Sequence, residues 1–147
     1  MAFLNSINIS ASGLTAEKLR MDVISRNIAN VNTTRTADGT PYRRQVVVFQ
    51  EAEKNMSFSD YLNDASKGMI GAGVKAVGIT EDKTPFKSVY DPGHPDADEQ
   101  GYVKMPNVEV MTEMVNMISA SRAYEANITA INSTKSIAMK TLEIGRA

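Results

Sequence analysis

The stretch that decides the fold is NVEVMTEMVNMISASRAYEANITAINSTKSIAMKTLEIG, residues 107–145. It follows Pro106; Asn107 can cap a helix N-terminus, and Glu109 suits the positive end of a helix dipole. Gly145 marks the end, with Lys140 near the last turn. We predict one helix to about Ile144, about 55 Å long at a rise of about 1.5 Å per residue. A domain of this size cannot cover such a helix with its own core, so something else must pack along it.

Three stripes run along this predicted helix. The first, at 3–4 spacing, is predicted to be a core seam: Val110, Met114, Met117, Tyr124, Ile128, Ile131, Ala138 and Leu142, with gaps at Ser121 and Lys135. The second lies nearly opposite and consists of small residues: Ser119, Ala123, Ala126, Ala130 and Ser133. The third is polar: Arg122, Glu125, Thr129 and Asn132.

The small-residue stripe has two interpretations, and the sequence leaves both open. Alanine raises helix propensity, so the stripe can be a consequence of helix formation alone. Alternatively, small side chains permit close backbone approach, and the helix is packed on both sides, by its N-terminal partner and by neighbouring subunits.

The N-terminal segment, from Phe3 to Val31, is also predicted to be helical. Its apolar residues fall on one half of a helical wheel: Phe3, Leu4, Ile7, Ala11, Leu14, Met21, Ile24, Ile28 and Val31. The four at sevenfold spacing form a coiled-coil-like seam: Ile7, Leu14, Met21 and Ile28. Gly13 indicates either a frayed first turn or a small-residue patch that another helix approaches. The segment should end in the asparagine-rich residues 27–32.

The middle of the chain reads as a small β region with long connections. Strand candidates are Tyr42–Gln50, Val74–Ile79, Phe86–Tyr90 and, more weakly, Tyr102–Met105. Residues 51–73 look like a flexible insertion with a short helix near residues 59–65, and residues 91–101 read as a loop.

Together these features predict a mainly α fold with a β-rich middle. The terminal helices are predicted to pair as an antiparallel coiled-coil-like hairpin. The predicted organisation is an axial helix at 1–32, a middle region at 33–106 and an axial helix at 107–147. A helix pair this thin is marginal alone, so we expect the ends to be partly disordered in the monomer and ordered on assembly.

Composition excludes several function classes. The 147 residues include no Cys and one His, and 16 basic against 17 acidic residues give a net charge of −1. Cysteine chemistry is therefore absent, and a phosphate-tracking surface is not expected. The first residues lack the features of a cleavable secretory signal, and no run approaches the roughly 20 apolar residues of a membrane span.

The sequence offers only weak candidates for a catalytic site or a metal site. His94 lies between Gly93 and Pro95 and is better explained as a surface loop residue than as a catalytic base. Residues 96–101, DADEQG, partly imitate a calcium loop, but Gln100 and Asn107 occupy positions where ligands are needed. A solvated turn explains them better. We expect no enzymatic activity, no cofactor and no metal.

Several motifs resemble those of one known family. SGLTA (residues 12–16) and DVISRNIANVNT (22–33) are similar to the N-terminal signature of the axial proteins of the bacterial flagellum. MVN (114–116) and SASRAYEAN (119–127) are similar to their C-terminal signature. The middle motifs FKSVYDPGHP (86–95) and GYVKMPNV (101–108), together with the short chain, resemble the proximal-rod subunits of the basal-body rod protein family.

The resemblance implies a structural role in motility. Subunits of this family are exported unfolded by the flagellar type III apparatus, without a cleaved signal. They assemble helically into the hollow rod that crosses the periplasm, transmits torque and surrounds the export channel. Partners would be further copies and neighbouring rod proteins, and the polar stripe would face the channel. A soluble coiled-coil adaptor is the alternative, and it would be stably helical and oligomeric at low concentration.

We expect the subunit interfaces to use positions on both terminal helices. These are Ile7, Leu14, Met21, Ile24 and Ile28 in the first helix, and Met114, Met117, Ala123, Tyr124, Ala126, Ile128, Ala130, Ile131 and Leu142 in the second.

Overall fold

The computed structural model describes residues 2–52 and 72–145 of the chain. It contains a helix at each end and a small β region of two two-stranded sheets between them. The elements in chain order are α1 (Ala2–Ala29), β1 (Gln45–Glu51), β2 (Val74–Glu81), β3 (Lys87–Tyr90), β4 (Tyr102–Met105) and α2 (Val110–Ile144). The coarse fold prediction is therefore confirmed, and all four strand candidates form strands. No helix in the described ranges is long and apolar enough to cross a membrane.

The helix ends follow local hydrogen-bonding chemistry. Helix α1 ends at Ala29, where both the amide and the side chain of Asn30 donate to the Arg26 carbonyl at 3.1 and 2.9 Å. Helix α2 ends at Ile144, as predicted, and the Gly145 amide donates to Thr141 O at 3.2 Å. The asparagine-rich end of α1 and the glycine end of α2 thus act as stop signals.

The start of α2 differs from the prediction. The helix begins at Val110, and the Glu109 carbonyl accepts the first intrahelical bond, from the Glu113 amide at 3.0 Å. Asn107 does not cap the helix. Its side-chain oxygen instead accepts from the Arg44 amide at 2.8 Å, and its amide donates to Asp82 O at 3.0 Å. The Asn107 side chain therefore makes tertiary hydrogen bonds instead of the helix cap that the local sequence pattern predicts.

Strands β3 and β4 form an antiparallel hairpin. Lys87 is opposite Met105, and Tyr90 is opposite Tyr102, with the two tyrosine rings 5.3 Å apart in an edge-to-face arrangement. The Asp91 amide donates to Gly101 O at 2.9 Å and closes the loop. Gly101 has a φ of 80°, and a Cβ there would lie 2.9 Å from the Tyr90 ring, so the turn requires glycine.

Two compact units divide the described residues, and each terminal helix contributes to both. Unit 1 comprises Met1–Lys18, Phe49–Val77 and Arg122–Ala147, and unit 2 comprises Leu19–Val48 and Gly78–Ser121. Most of the buried side chains belong to unit 2, namely Val23, Ile24, Asn27, Val103, Pro106, Val108, Glu113 and Ala120. In the described part of unit 1, Ala16 is the buried apolar residue.

Other sequence predictions about the middle region stay predictions. The proposed insertion and its short helix fall largely on residues 53–71, which lie outside the described residues. The three-segment organisation is likewise a prediction.

Candidate assembly surfaces

Glu113 is the polar centre of unit 2. Its side chain is fully buried, yet it is a carboxylate on the first turn of α2. Arg44 donates through Nη2 and Nε to Glu113 Oε1 at 2.8 and 2.9 Å, and Asn27 Nδ2 donates to Oε2 at 2.9 Å. Both carboxylate oxygens are therefore bonded, as a buried charge requires. The cluster joins the end of α1, the residue before β1 and the start of α2.

Asn27 uses all of its hydrogen-bonding capacity. Besides Glu113, its amide donates to Gln45 O at 2.8 Å. Its Oδ1 accepts from Gln45 N at 3.0 Å and from the Tyr42 hydroxyl at 2.9 Å. The Asn27 side chain thus pairs with both backbone groups of Gln45. Burial raises the pKa of the Tyr42 hydroxyl above its ordinary value. Asn27 fixes the first residue of β1 against α1.

Arg44 extends the cluster to the end of β2. Its Nη1 lies 3.2 Å from Asp82 Oδ2. Burial disfavours the charged guanidinium, but hydrogen bonds and charges from Glu113 and Asp82 outweigh burial and raise the pKa of Arg44. The Thr84 amide, then the Thr84 hydroxyl and Arg44, hold the pKa of Asp82 below its ordinary value. These groups satisfy one another, so the arrangement is suited to holding elements together.

A cleft of about 120 Å³ lies beside this cluster, lined by residues that include Val23, Val46 and Asn116. Small-molecule sites usually enclose roughly 300–1,000 Å³. The cleft therefore has room for a few waters rather than for an organic ligand.

The predicted interface residues of α1 are buried or half-buried within the chain. Ile24 is buried, with 6% of its surface exposed. The remaining four are half-buried: Ile7, Leu14, Met21 and Ile28.

The predicted interface residues of α2 divide into two groups. Half-buried are Met117, Ala123, Tyr124 and Ile131. Exposed are Met114, Ala126, Ile128, Ala130 and Leu142. Within the chain itself, the small-residue stripe is thus largely uncovered.

The prediction that the first stripe of α2 is a core seam is wrong at four positions, because these side chains are exposed: Val110, Met114, Ile128 and Leu142. The buried positions are instead Glu113 and Ala120, one heptad apart. The reason is physical. Arg44 and Asn27 satisfy the Glu113 charge, and Ala120 is small enough to be fully buried, so a polar and a small residue face inward. The large apolar side chains are thereby rotated away from the interior.

The outer face of α2 in unit 2 is apolar. Four residues at i, i+3, i+4 and i+7 form what we call the apolar quartet: Met111, Met114, Val115 and Ile118, which are 71, 50, 65 and 52% exposed. This spacing places them on one face, opposite Glu113 and Ala120. Isolated exposed apolar residues are ordinary, but a contiguous set marks a contact surface.

In unit 1, the corresponding outer positions of α2 are polar. The stripe of Arg122, Glu125, Thr129 and Asn132 is exposed throughout. Thr129 Oγ1 donates to Glu125 O at 2.9 Å within the helix.

The loop that carries His94 is built from local contacts. His94 Nδ1 accepts from the Asp96 amide at 3.1 Å, and Asp98 Oδ1 accepts from the amides of Gln100 and Tyr102 at 3.0 and 2.8 Å. Such bonds stabilise turns. Across residues 2–52 and 72–145, no group of three or more His, Cys, Asp or Glu is placed to hold a metal ion.

Sequence reasoning missed the Glu113 cluster. The sequence pattern assigns Asn27 to the end of the first helix and gives Arg44 no structural role. A usable signal was present, because Glu113 is a charged residue within the otherwise apolar and neutral residues 110–118. An Arg at the start of an apolar strand is the partner that such a residue needs.

Known proteins match this chain over nearly its whole length. Residues 7–35 match the family described as flagella basal body rod protein, and residues 99–144 match the flagellar basal body rod FlgEFG protein C-terminal family. The chain is 51% identical to flagellar basal-body rod protein FlgC of Borreliella burgdorferi, over 98% of each chain. It is 49% identical to FlgC of Bacillus subtilis and 45% identical to FlgC of Salmonella typhimurium, over 99% of this chain and all of theirs.

Proposed function

The chain belongs to the FlgC family of flagellar basal-body rod proteins, and on that premise we propose how this rod subunit assembles. It is a structural subunit of the flagellar basal-body rod. Its terminal helices polymerise into the proximal part of the hollow axle that transmits torque and surrounds the export channel. The observation that carries this proposal is the identity of about half the residues over the full length of known rod proteins.

The proposed building block is an antiparallel pairing of the terminal helices. In unit 2, Asn27 of α1 bonds to Glu113 of α2 at 2.9 Å. In unit 1, a Cβ at Gly13 of α1 would lie 3.1 Å from the Asn127 amide of α2. The earlier residue of α1 meets the later residue of α2 in these two contacts, which supports opposite helix directions. Gly13 permits the close approach, in line with the small-patch interpretation.

The proposed interfaces between subunits use the faces that the chain leaves uncovered. Exposed Ala126 and Ala130 allow another helix to approach α2 closely, and the apolar quartet offers surface that water does not solvate well. The exposed polar stripe that begins at Arg122 suits a water-filled channel.

The proposed partners follow from this role. They are further copies of the chain, neighbouring rod proteins, and the flagellar type III export apparatus during secretion. The site of action is the rod where it crosses the periplasm, reached without a cleavable signal peptide. The role is structural and uses neither catalysis nor a cofactor.

Deletion of the gene tests the proposal. Deleted cells should be non-motile, with basal bodies that lack a complete rod, and re-expression of the natural chain should restore both. Re-expression of Glu113→Ala should not restore them, whereas the control Asp38→Ala, at an exposed loop carboxylate, should. Normal motility with complete rods in the deletion strain would exclude the assignment.

A further inference from the structure

Ser12 lies on the part of α1 that belongs to unit 1, and it holds the start of β2. Its hydroxyl accepts from the Val74 amide at 3.1 Å and donates to the Ile9 carbonyl of its own helix at 2.7 Å. One hydroxyl group thus acts as donor and acceptor at the same time. Because Val74 is the first residue of β2, the contact joins the first half of α1 to that strand.

The backbone beside Val74 is shaped for this contact. Gly73 has a φ of 103°, which a residue with a Cβ rarely adopts, and a Cβ there would overlap the Ser12 hydroxyl oxygen. The Gly73 carbonyl in turn accepts from the Ala52 amide at 2.9 Å. We call the two hydrogen bonds of Ser12, together with the close approach of Gly73, the Ser12 latch.

Little buried apolar surface supports the Ser12 latch. In the described part of unit 1, Ala16 is the buried apolar residue, and Ile9 and Leu14 are half-buried. The net contribution of a hydrogen bond is small because water competes for both partners, so a segment with few buried contacts opens readily. The Glu113 cluster of unit 2 contains none of the latch residues. The latch can therefore open while the Glu113 cluster stays bonded.

We propose that the Ser12 latch is a conformational device of the free subunit. When it is closed, it holds the first half of α1 on the start of β2, and when it opens, it releases residues 5–18 while unit 2 stays folded. The inference deepens the proposed function and rests on it, because a subunit that is exported unfolded needs a first step of opening. The latch places that step in unit 1, where few side chains are buried.

Hydrogen exchange of the free full-length chain tests the latch, and Ser12→Ala gives a result with a defined sign. Alanine is a better helix former than serine, so without a latch this substitution should slow the exchange of α1. Loss of the latch should instead speed the exchange of residues 5–18 and of the Val74 amide several-fold. Residues 23–27 of unit 2 are the internal control and should keep their rates.

Thr15→Ala is the matched control. The Thr15 hydroxyl donates to the Ala11 carbonyl at 3.1 Å within α1, at an exposed site. This substitution removes a hydroxyl bond of the same helix without removing the bond to Val74, so the exchange of residues 5–18 should stay the same or become slower. Faster exchange in Thr15→Ala that equals the change in Ser12→Ala would overturn the inference.

Gly73→Ala tests the latch from the strand side. Because its Cβ would overlap the Ser12 hydroxyl, it should speed the exchange of residues 5–18 in the natural chain and add less in the Ser12→Ala background. Equal acceleration in both backgrounds, or unchanged exchange in Ser12→Ala, would overturn the latch and leave the proposed function intact. Complete rods and normal swimming in cells without the gene would overturn the proposed function, whatever the exchange rates are.

Discussion

Glu113 shows how one buried charge can determine which residues of two helices face each other. A buried ion pair contributes little net stability, since desolvation offsets much of the attraction, but removing one partner leaves the other unsatisfied. Arg44 and Asn27 approach Glu113 from different elements. Any shift of α1 along α2 would break these bonds, so the cluster specifies the register more strongly than the surrounding apolar contacts do.

Replacing Glu113 with Gln should lower the free energy of unfolding by about 2–4 kcal/mol, because Arg44 loses its buried counter-charge. Urea unfolding followed by circular dichroism measures the effect. The matched control is Glu125→Gln in the exposed polar stripe of the same helix, which should change stability by less than about 0.5 kcal/mol. Equal effects of the two substitutions would show that the cluster is not a specific structural anchor.

The lowered pKa of Asp82 predicts that the stability of the fold decreases at acidic pH. The Thr84 amide, assisted by its hydroxyl and by Arg44, keeps the pKa of Asp82 below the ordinary value of 3.8. At a pH between the folded-state and the unfolded-state pKa of Asp82, the unfolded chain binds more protons than the folded chain does. The stabilisation that the Asp82 carboxylate contributes is therefore present above pH 3.8 and is lost as the pH falls through the folded-state pKa.

The Asp82→Asn variant should therefore lose less stability than the natural chain when the pH is lowered from about 5 to about 2. Urea midpoints measured across that range test the prediction, with Asp38→Asn, an exposed loop carboxylate, as control. Parallel pH profiles for the natural chain and Asp82→Asn would contradict it.

At the scale of elements, close contact between α1 and α2 explains the mid-helix glycine. Glycine at position 13 sacrifices roughly 1 kcal/mol of helix propensity relative to alanine. A Cβ there would meet the Asn127 side chain at 3.1 Å, and the Asn127 amide is itself held by a 2.9 Å bond to Ala123 O. The glycine therefore makes room for a polar side chain of the facing helix.

Substituting Val for Gly13 should destabilise the chain by about 1–3 kcal/mol, because its branched side chain cannot fit beside Asn127. Ala11→Val, two residues away on an exposed position of the same helix, is the control and changes little beyond helix propensity. Thermal unfolding of both variants measures the difference. Equal losses would mean that Gly13 does not mark a close approach.

Sequence patterns were most informative about elements and least about helix rotation. The C-terminal ends of α1, at Ala29, and of α2, at Ile144, and the four strands follow from local chemistry, which a sequence displays directly. The inward face of α2 does not follow from local chemistry. Glu113 is tolerated inside only because Arg44, 69 residues away, pairs with it. A search for large apolar residues therefore selected Met114 and Leu142, while long-range pairing placed Glu113 and Ala120 inside.

At the scale of the whole molecule, burial is unequally distributed along two continuous helices. Unit 2 contains the Glu113 cluster and most of the buried apolar side chains, whereas the described part of unit 1 buries Ala16. Local stability follows buried contacts, so segments of one helix can open with different free energies. Such a division suits the proposed role, in which the chain is exported unfolded and is ordered further in the rod.

Hydrogen exchange should make this division measurable. In the free chain, amides of residues 110–121 of α2 should exchange more slowly than those of residues 122–144, because the first segment packs around Glu113 and Ala120. In isolated basal bodies, residues 122–144 should become protected, since the proposed subunit contacts then cover the exposed Ala126, Ala130 and Leu142. Residues 23–27 of α1, whose Val23, Ile24 and Asn27 are already buried in the free chain, serve as the internal control and should change little. Uniform protection along α2 in the free chain would contradict the expectation, because the helix would then be fully stabilised before assembly and would behave as a preformed adaptor.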